Sequence, residues 1–300
     1  MTNPFTGVLP AITTPFHEDL SVDHDFLARH ARQLLDAGCT GLIPLGSLGE
    51  SATLEEAEKL GILRTLVDAA GGKPVVAGVA ALSTASAVRL AQGAQAAGCG
   101  GLMVLPPYVY ASDWREMRAH VSAVMDATDL PCLLYNNPIA YKTDFLPEQS
   151  AELAQAHSNL LGVKESSADV RRVTALRALL PERVRVLVGV DNALVEGVQA
   201  GAEGWVAGLV SAFPEESVRL YDLARAGRIQ EATELYRWFL PLLRLDTVTK
   251  FVQLIKFVQE EVGLGSARVR PPRLELTEAE AAEVRALVRT ALTTRPAVPA

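Results

Sequence analysis

The stretch Leu160-Leu161-Gly162-Val163-Lys164-Glu165-Ser166-Ser167 puts a lysine where an apolar run gives way to small polar residues. An ammonium group at the end of a buried strand is hard to keep charged, because desolvation disfavours the charged form and lowers the pKa. A neutral amine attacks carbonyl carbon and forms a Schiff base, and the protonated imine is an electron sink for a carbanion on the next carbon. The competing reading is structural: a Lys164–Glu165 neighbour pair, or a lysine that reaches out to solvent. Tyr135, in Tyr135-Asn136-Asn137-Pro138, ends the neighbouring apolar run. Its hydroxyl could shuttle protons for such a lysine, although a core aromatic with a polar tip needs no such role. Gly46-Ser47-Leu48-Gly49-Glu50-Ser51 is a glycine turn whose amides and Ser47 hydroxyl suit a carboxylate. Thr13, Thr14, Tyr108, Tyr110, Asp191 and Asn192 end other runs.

Those runs are the elements that must position the chemistry. Eight are found, at 8–15, 41–47, 74–80, 101–107, 131–138, 160–167, 184–191 and 204–211. Each is short and apolar, as expected of strands buried on both faces. The gaps mostly hold helical patterns, and Asp36-Ala37-Gly38, Ala96-Ala97-Gly98 and Gln199-Ala200-Gly201 share one grammar, a helix tail followed by a glycine stop. Thr53-Leu54-Glu55-Glu56 and Thr277-Glu278-Ala279-Glu280 read as capping boxes, with Thr53 and Thr277 as N-caps. Strand–helix alternation predicts an α/β fold with a parallel sheet, and eight units favour a closed (β/α)8 TIM barrel, with chemistry at the C-terminal strand ends. A doubly wound sheet would carry a Gly-rich fingerprint after its first strand, which Ala11–Phe16 lacks. The reading divides the chain into a barrel with the catalytic site at 1–225 and a C-terminal helical extension at 226–300, with helices near 215–226, 228–244, 247–262 and 278–293. The tail 293–300 reads as loosely ordered.

The net charge of −7 argues against a nucleic-acid surface. No apolar run reaches transmembrane length and the start lacks a signal-peptide pattern, so the expected location is cytoplasmic. Cys39, Cys99 and Cys132 are too scattered for a disulfide framework, and neither they nor the five histidines have metal-ligand spacing. The sequence therefore predicts no metal site.

Taken together, Ile12–Phe16, Gly46–Ser51, Tyr135–Pro138, Gly162–Ser167 and Gly189–Asn192 resemble the dihydrodipicolinate synthase / N-acetylneuraminate lyase family, in its order and spacing and over nearly the whole length. The resemblance implies a (β/α)8 barrel with C-terminal helices, usually a homotetramer. It implies a cofactor-free Schiff-base enzyme acting on a small-molecule 2-oxo acid or cyclic imino acid, with no nucleic-acid or membrane partner. By resemblance Lys164 is the Schiff-base lysine and Tyr135 the proton relay. Ser47 and the Leu48 amide hold the substrate carboxylate, Asn137 and Val206 complete the substrate pocket, and Tyr108 crosses a subunit interface into a neighbouring site. Two positions depart from the pattern. Leu48 stands where a second hydroxyl is common, and Ala140 where the synthases carry an arginine for the aldehyde's carboxylate. Longer motifs, including Arg237–Asp246, Lys250–Lys256, Gly263–Gly265 and Val269–Leu274, are similar to the 1-pyrroline-4-hydroxy-2-carboxylate deaminases of hydroxyproline breakdown. That subgroup implies dehydration and deamination to 2,5-dioxopentanoate. The alternatives are a lyase or synthase joining or cleaving pyruvate and an aldehyde and, as a minor alternative, a non-catalytic sensor or scaffold.

Overall fold

The computed structural model describes residues 3–108 and 110–296, so the end of the tail at 293–300 lies outside the described residues. Seven strands form: β1 (Gly7–Pro10), β2 (Val76–Val79), β3 (Gly101–Val104), β4 (Cys132–Asn136), β5 (Leu160–Glu165), β6 (Arg185–Val188) and β7 (Gly204–Ala207). They make one sheet in the order β1-β7-β6-β5-β4-β3-β2. All its pairs are parallel.

The second predicted strand, 41–47, is the exception. It makes only isolated parallel bridges, Ile43 to Ala11 on the β1 side and Leu42 to Val75 on the β2 side. Its backbone still links both edges of the sheet. Ile43 N donates to Pro10 O at 2.8 Å, Leu42 N donates to Pro74 O at 3.0 Å, and Val76 N donates to Leu42 O at 2.8 Å. The ladder stops there because Pro44 has no N–H to donate and Leu45 turns into the left-handed region at φ 64°. The result is a TIM-barrel-like α/β fold with seven strands rather than eight.

Between and after the strands lie α1 (His24–Asp36), α2 (Glu56–Ala69), α3 (Thr84–Ala96), α4 (Trp114–Met125), α5 (Pro138–Tyr141), α6 (Pro147–Ala156), α7 (Arg171–Leu179), α8 (Leu194–Gln199), α9 (Pro214–Arg225), α10 (Ile229–Leu243), α11 (Phe251–Glu261) and α12 (Glu278–Thr293). The repeated glycine stop is real: Gly38, Gly98 and Gly201 all have positive φ just after a helix, where a side chain would be strained. Thr277 caps α12 in a capping box with Glu280 as read. Thr53 does not cap α2. It lies in a 3-10 turn with its hydroxyl on Glu50 O at 3.0 Å, and the capping box is formed by Glu55 and Glu58 instead.

The strands are apolar on both faces because two cores need them. An outer core packs Val8, Val104, Leu134, Val163, Val186 and Trp205 under the helices. An inner core gathers Leu9, Val76, Met103, Leu133, Leu187 and Val206 inside the curled sheet. Each such side chain contributes about 1.5–3 kcal/mol by leaving water. The inner core also holds Tyr135. A polar-tipped ring among aliphatic residues marks the inside of the sheet as the place where chemistry begins. Among the described residues no helix is long and apolar enough to cross a membrane.

Candidate active site

Side chains alternate faces along a strand, and β5 uses this to separate its lysine from its carboxylate. Tyr135 of β4 and Lys164 of β5 are direct register partners, as are Asn136 and Glu165 one residue on. Glu165 is turned to the outer side, where it accepts from Asn136 Nδ2 at 3.0 Å and from Ser167 N at 2.6 Å, with Arg172 Nη1 4.0 Å away. The Lys164–Glu165 neighbour pair considered above is therefore not made. Lys164 is only 6% exposed, and its Nζ lies over the Tyr135 ring, 4.0 Å from the centroid. Gly189, just past β6, makes room for it, since a Cβ there would stand 2.7 Å from Lys164 Cε.

Burial pulls the Lys164 pKa down from 10.5 to about 8, with the charges of Asp246 and Asp191 resisting the shift. At pH 7 roughly one amine in ten is then neutral, against about three in ten thousand for an ordinary lysine. The neutral form is the nucleophile, so trapping of a 2-oxo acid by borohydride is expected to accelerate as pH rises and to level off above about 8. A profile still climbing towards 10.5 would mean that the lysine is not desolvated.

Tyr135 lies under the amine, and Tyr141 and Tyr108 continue from it in a row of ring contacts. The Tyr135 hydroxyl accepts from Asn137 Nδ2 at 3.0 Å, and burial pushes its pKa up to about 12. Asn137 caps α5, its Oδ1 accepting from Ala140 N at 3.0 Å, and so orients the helix that presents Tyr141. The Tyr141 and Ser47 hydroxyls are hydrogen-bonded to each other. Tyr141 meets Tyr135 edge-on at 5.7 Å between centroids and Tyr108 at the same distance in a tilted pair. Ser47, Tyr141, Tyr135 and Lys164 thus form one continuous wall.

Of the sequence-predicted residues, Lys164, Tyr135, Ser47, Tyr108 and Asn137 come together here. Val206 lies in the inner core below them. Leu48 sends its side chain into the outer core at 3% exposure. Thr13 and Thr14 are occupied elsewhere, donating to Gln259 Oε1 at 2.9 Å and Gly49 O at 2.7 Å, and Tyr110 is 55% exposed.

The opposite wall is acidic. Asp191 is fully buried and accepts from Trp205 Nε1 at 3.0 Å, Gly208 N at 3.1 Å and Leu209 N at 2.8 Å. Burial still raises its pKa to about 6. Asp246 arrives from the turn Arg244–Thr247 after α10, and its carboxylate lies against Gly208, where a Cβ would overlap it. Burial, and then the charge of Asp191, hold its carboxyl well above the usual range. Sequence reasoning gave Asp246 no role, because it lies far from any strand end.

The Gly46–Ser51 turn is locked from below by Glu50, held at φ 55°. Lys256 Nζ of α11 donates to Glu50 Oε1 at 2.8 Å and to Thr14 O at 2.9 Å, while Arg270 N donates to Glu50 Oε2 at 3.0 Å. Glu50 and Lys256 are each 1% exposed. Breaking such a pair strands a buried charge, at about 3–5 kcal/mol. Glu50→Gln and Lys256→Met are each expected to lose stability on that scale in urea unfolding. A loss below about 1 kcal/mol would show that the pair does not hold the turn.

The model of the dihydrodipicolinate synthetase family matches residues 4–291. The 4-hydroxy-tetrahydrodipicolinate synthase of Methanopyrus kandleri is 34% identical over 275 residues, covering 91% of each chain. That of Natronomonas pharaonis is 36% identical over 232 residues, covering 77% of this chain and 79% of its own. Among solved structures, a prophage protein of the dihydrodipicolinic acid synthase family from E. coli K12, in complex with pyruvate, superposes with a TM-score of 0.90 at 28% identity, covering 96% of this chain and 99% of its own. Dihydrodipicolinate synthase from Thermotoga maritima gives 0.91 at 26% identity, with 96% and 98% covered.

Proposed function

The chain belongs to the dihydrodipicolinate synthetase family, and from that premise we propose that it is a class I aldolase-type lyase that carries a 2-oxo acid, pyruvate in the first instance, as an imine on Lys164. The observation that supports this most is a buried lysine with its pKa lowered to about 8, packed over a tyrosine ring inside the curled sheet. The substrate carboxylate is held at the Ser47 turn. Lys164 adds to the C2 carbonyl, and loss of water gives the imine. The Tyr135–Tyr141–Ser47 group carries protons at the amine and at C3. The resulting enamine joins C3 to an aldehyde carbon, or the reverse cleavage regenerates it, and water then releases the product from the lysine. Tyr108 serves the same site from within its own chain, its ring against Tyr141, and the family pattern would add assembly as a homotetramer.

The relatives bearing the name 4-hydroxy-tetrahydrodipicolinate synthase support carbon–carbon bond chemistry with an aldehyde. A second reading, deamination of 1-pyrroline-4-hydroxy-2-carboxylate, is favoured by one feature. The short helix α5 presents Ala140 where a second carboxylate would need an arginine. The two readings part in one assay series. Pyruvate with aspartate semialdehyde and with uncharged aldehydes tests the lyase, and ammonia release from the cyclic hydroxy-imine tests the deaminase. Turnover confined to the cyclic imine would set the lyase reading aside.

A further inference from the structure

We propose that Asp246 is a further proton-transfer group of this site, acting on the oxygen borne by the second carbon beyond the imine carbon, on the β6–β7 side of Lys164, away from Tyr135. The inference rests on the Schiff-base reading above. It begins with the order of strands. In the order β4-β5-β6-β7, Lys164 of β5 has Tyr135 and, after β4, Tyr141 on its β4 side, and Tyr141 reaches across to Ser47 in the turn between β1 and β2. On its other side are Asp191, which follows β6, and Gly208, which follows β7. With Tyr135 and Tyr141 filling the β4 side, the far end of a substrate whose imine is on Lys164 has the β6–β7 side left to it, where Asp246 lies against Gly208.

The two carboxyls differ in what occupies them. Asp191 is filled by Trp205 Nε1 and the amides of Gly208 and Leu209, and so fixes the backbone at the end of β7. Among the described residues no group donates to Asp246, which is half-buried rather than sealed. Gly208 gives it access, since any side chain there would displace the carboxylate. The charged and titratable groups around it are Asp191 and Lys164 and the Tyr135 hydroxyl. Burial and the neighbouring Asp191 keep Asp246 protonated to higher pH than an ordinary aspartate, the direction that suits a group that gives and takes back a proton. The Tyr135 ring packs under the amine, which assigns its hydroxyl to the imine end of the substrate rather than to the far oxygen.

The step balances without another reactant. In condensation the enamine electron pair forms the bond from C3 to the aldehyde carbon. The carbonyl π pair moves to oxygen, and that oxygen takes the Asp246 proton to become a hydroxyl. In cleavage the carboxylate takes the hydroxyl proton back while the C–C pair returns to the iminium. In the dehydration reading the same proton leaves with the C4 hydroxyl as water. Asp246 regains its proton from solvent.

The test is Asp246→Asn, with Asp246→Ser as a second variant and a melting curve for each. Three readouts are compared: borohydride-trapped pyruvate adduct, deuterium exchange at the pyruvate methyl, and turnover with an aldehyde or the cyclic imine. Adduct and exchange should remain within about fivefold of wild type while turnover falls by ~100-fold or more. Turnover within threefold of wild type in either folded variant would overturn the inference, and so would equal losses in exchange and turnover, which would put Asp246 at the amine instead. Absence of adduct in the wild type would overturn the Schiff-base reading and this inference with it.

Discussion

Lys164→Ala is expected to abolish turnover, a loss of at least ~10⁵-fold, because covalent catalysis has no substitute once the amine is gone. No other lysine can take its place. Lys256 is tied to Glu50 and Thr14 in the outer core, and Lys142 is exposed at the end of α5. The fold should survive, since a buried amine that desolvation disfavours is replaced by a small apolar group. Melting temperature and turnover, measured together, check this. Residual activity above about one part in a thousand, in a protein free of wild type, would mean that the lysine assists rather than bonds.

Tyr135→Phe is expected to lower kcat by ~100- to 10,000-fold, the usual reach of a positioned acid–base group. The ring contacts with Lys164 and Tyr141 are kept, so the loss belongs to the hydroxyl. The adduct with pyruvate should still form, only more slowly. A kcat within about threefold of wild type would place proton transfer on Tyr141 or Ser47 instead. The hydroxyl's pKa, pushed up to about 12 by burial, suits a group that relays protons while staying neutral, not one that ionises.

Most of this site could be read from the sequence for one physical reason. A strand buried on both faces must be apolar, so each polar residue at its end stands out. Lys164, Tyr135 and Ser47 were visible in that way, and the glycine stops at 38, 98 and 201 marked where strands begin. What stayed hidden depended on contacts far apart in sequence. The second run, 41–47, looked like the others, yet Pro44 and the turn at Leu45 end its ladder after two bridges. Thr53 had the spacing of an N-cap, but the 3-10 turn beneath Glu50 claimed its hydroxyl. Asp246 reads as one more charge between helices, and only the packing of its turn against Gly208 brings it to the site. The tie from Lys256 to Glu50 spans 206 positions and has no local signature.

The family is established; the chemistry at Lys164 is the central claim, and it can be tested directly. The wild-type protein is incubated with pyruvate and borohydride, digested, and its peptides are weighed and sequenced by mass spectrometry. The account predicts a single reduced pyruvyl adduct, on the peptide that contains Lys164 and on that residue. An adduct on Lys142 or Lys256, or none at all at saturating pyruvate, would contradict it.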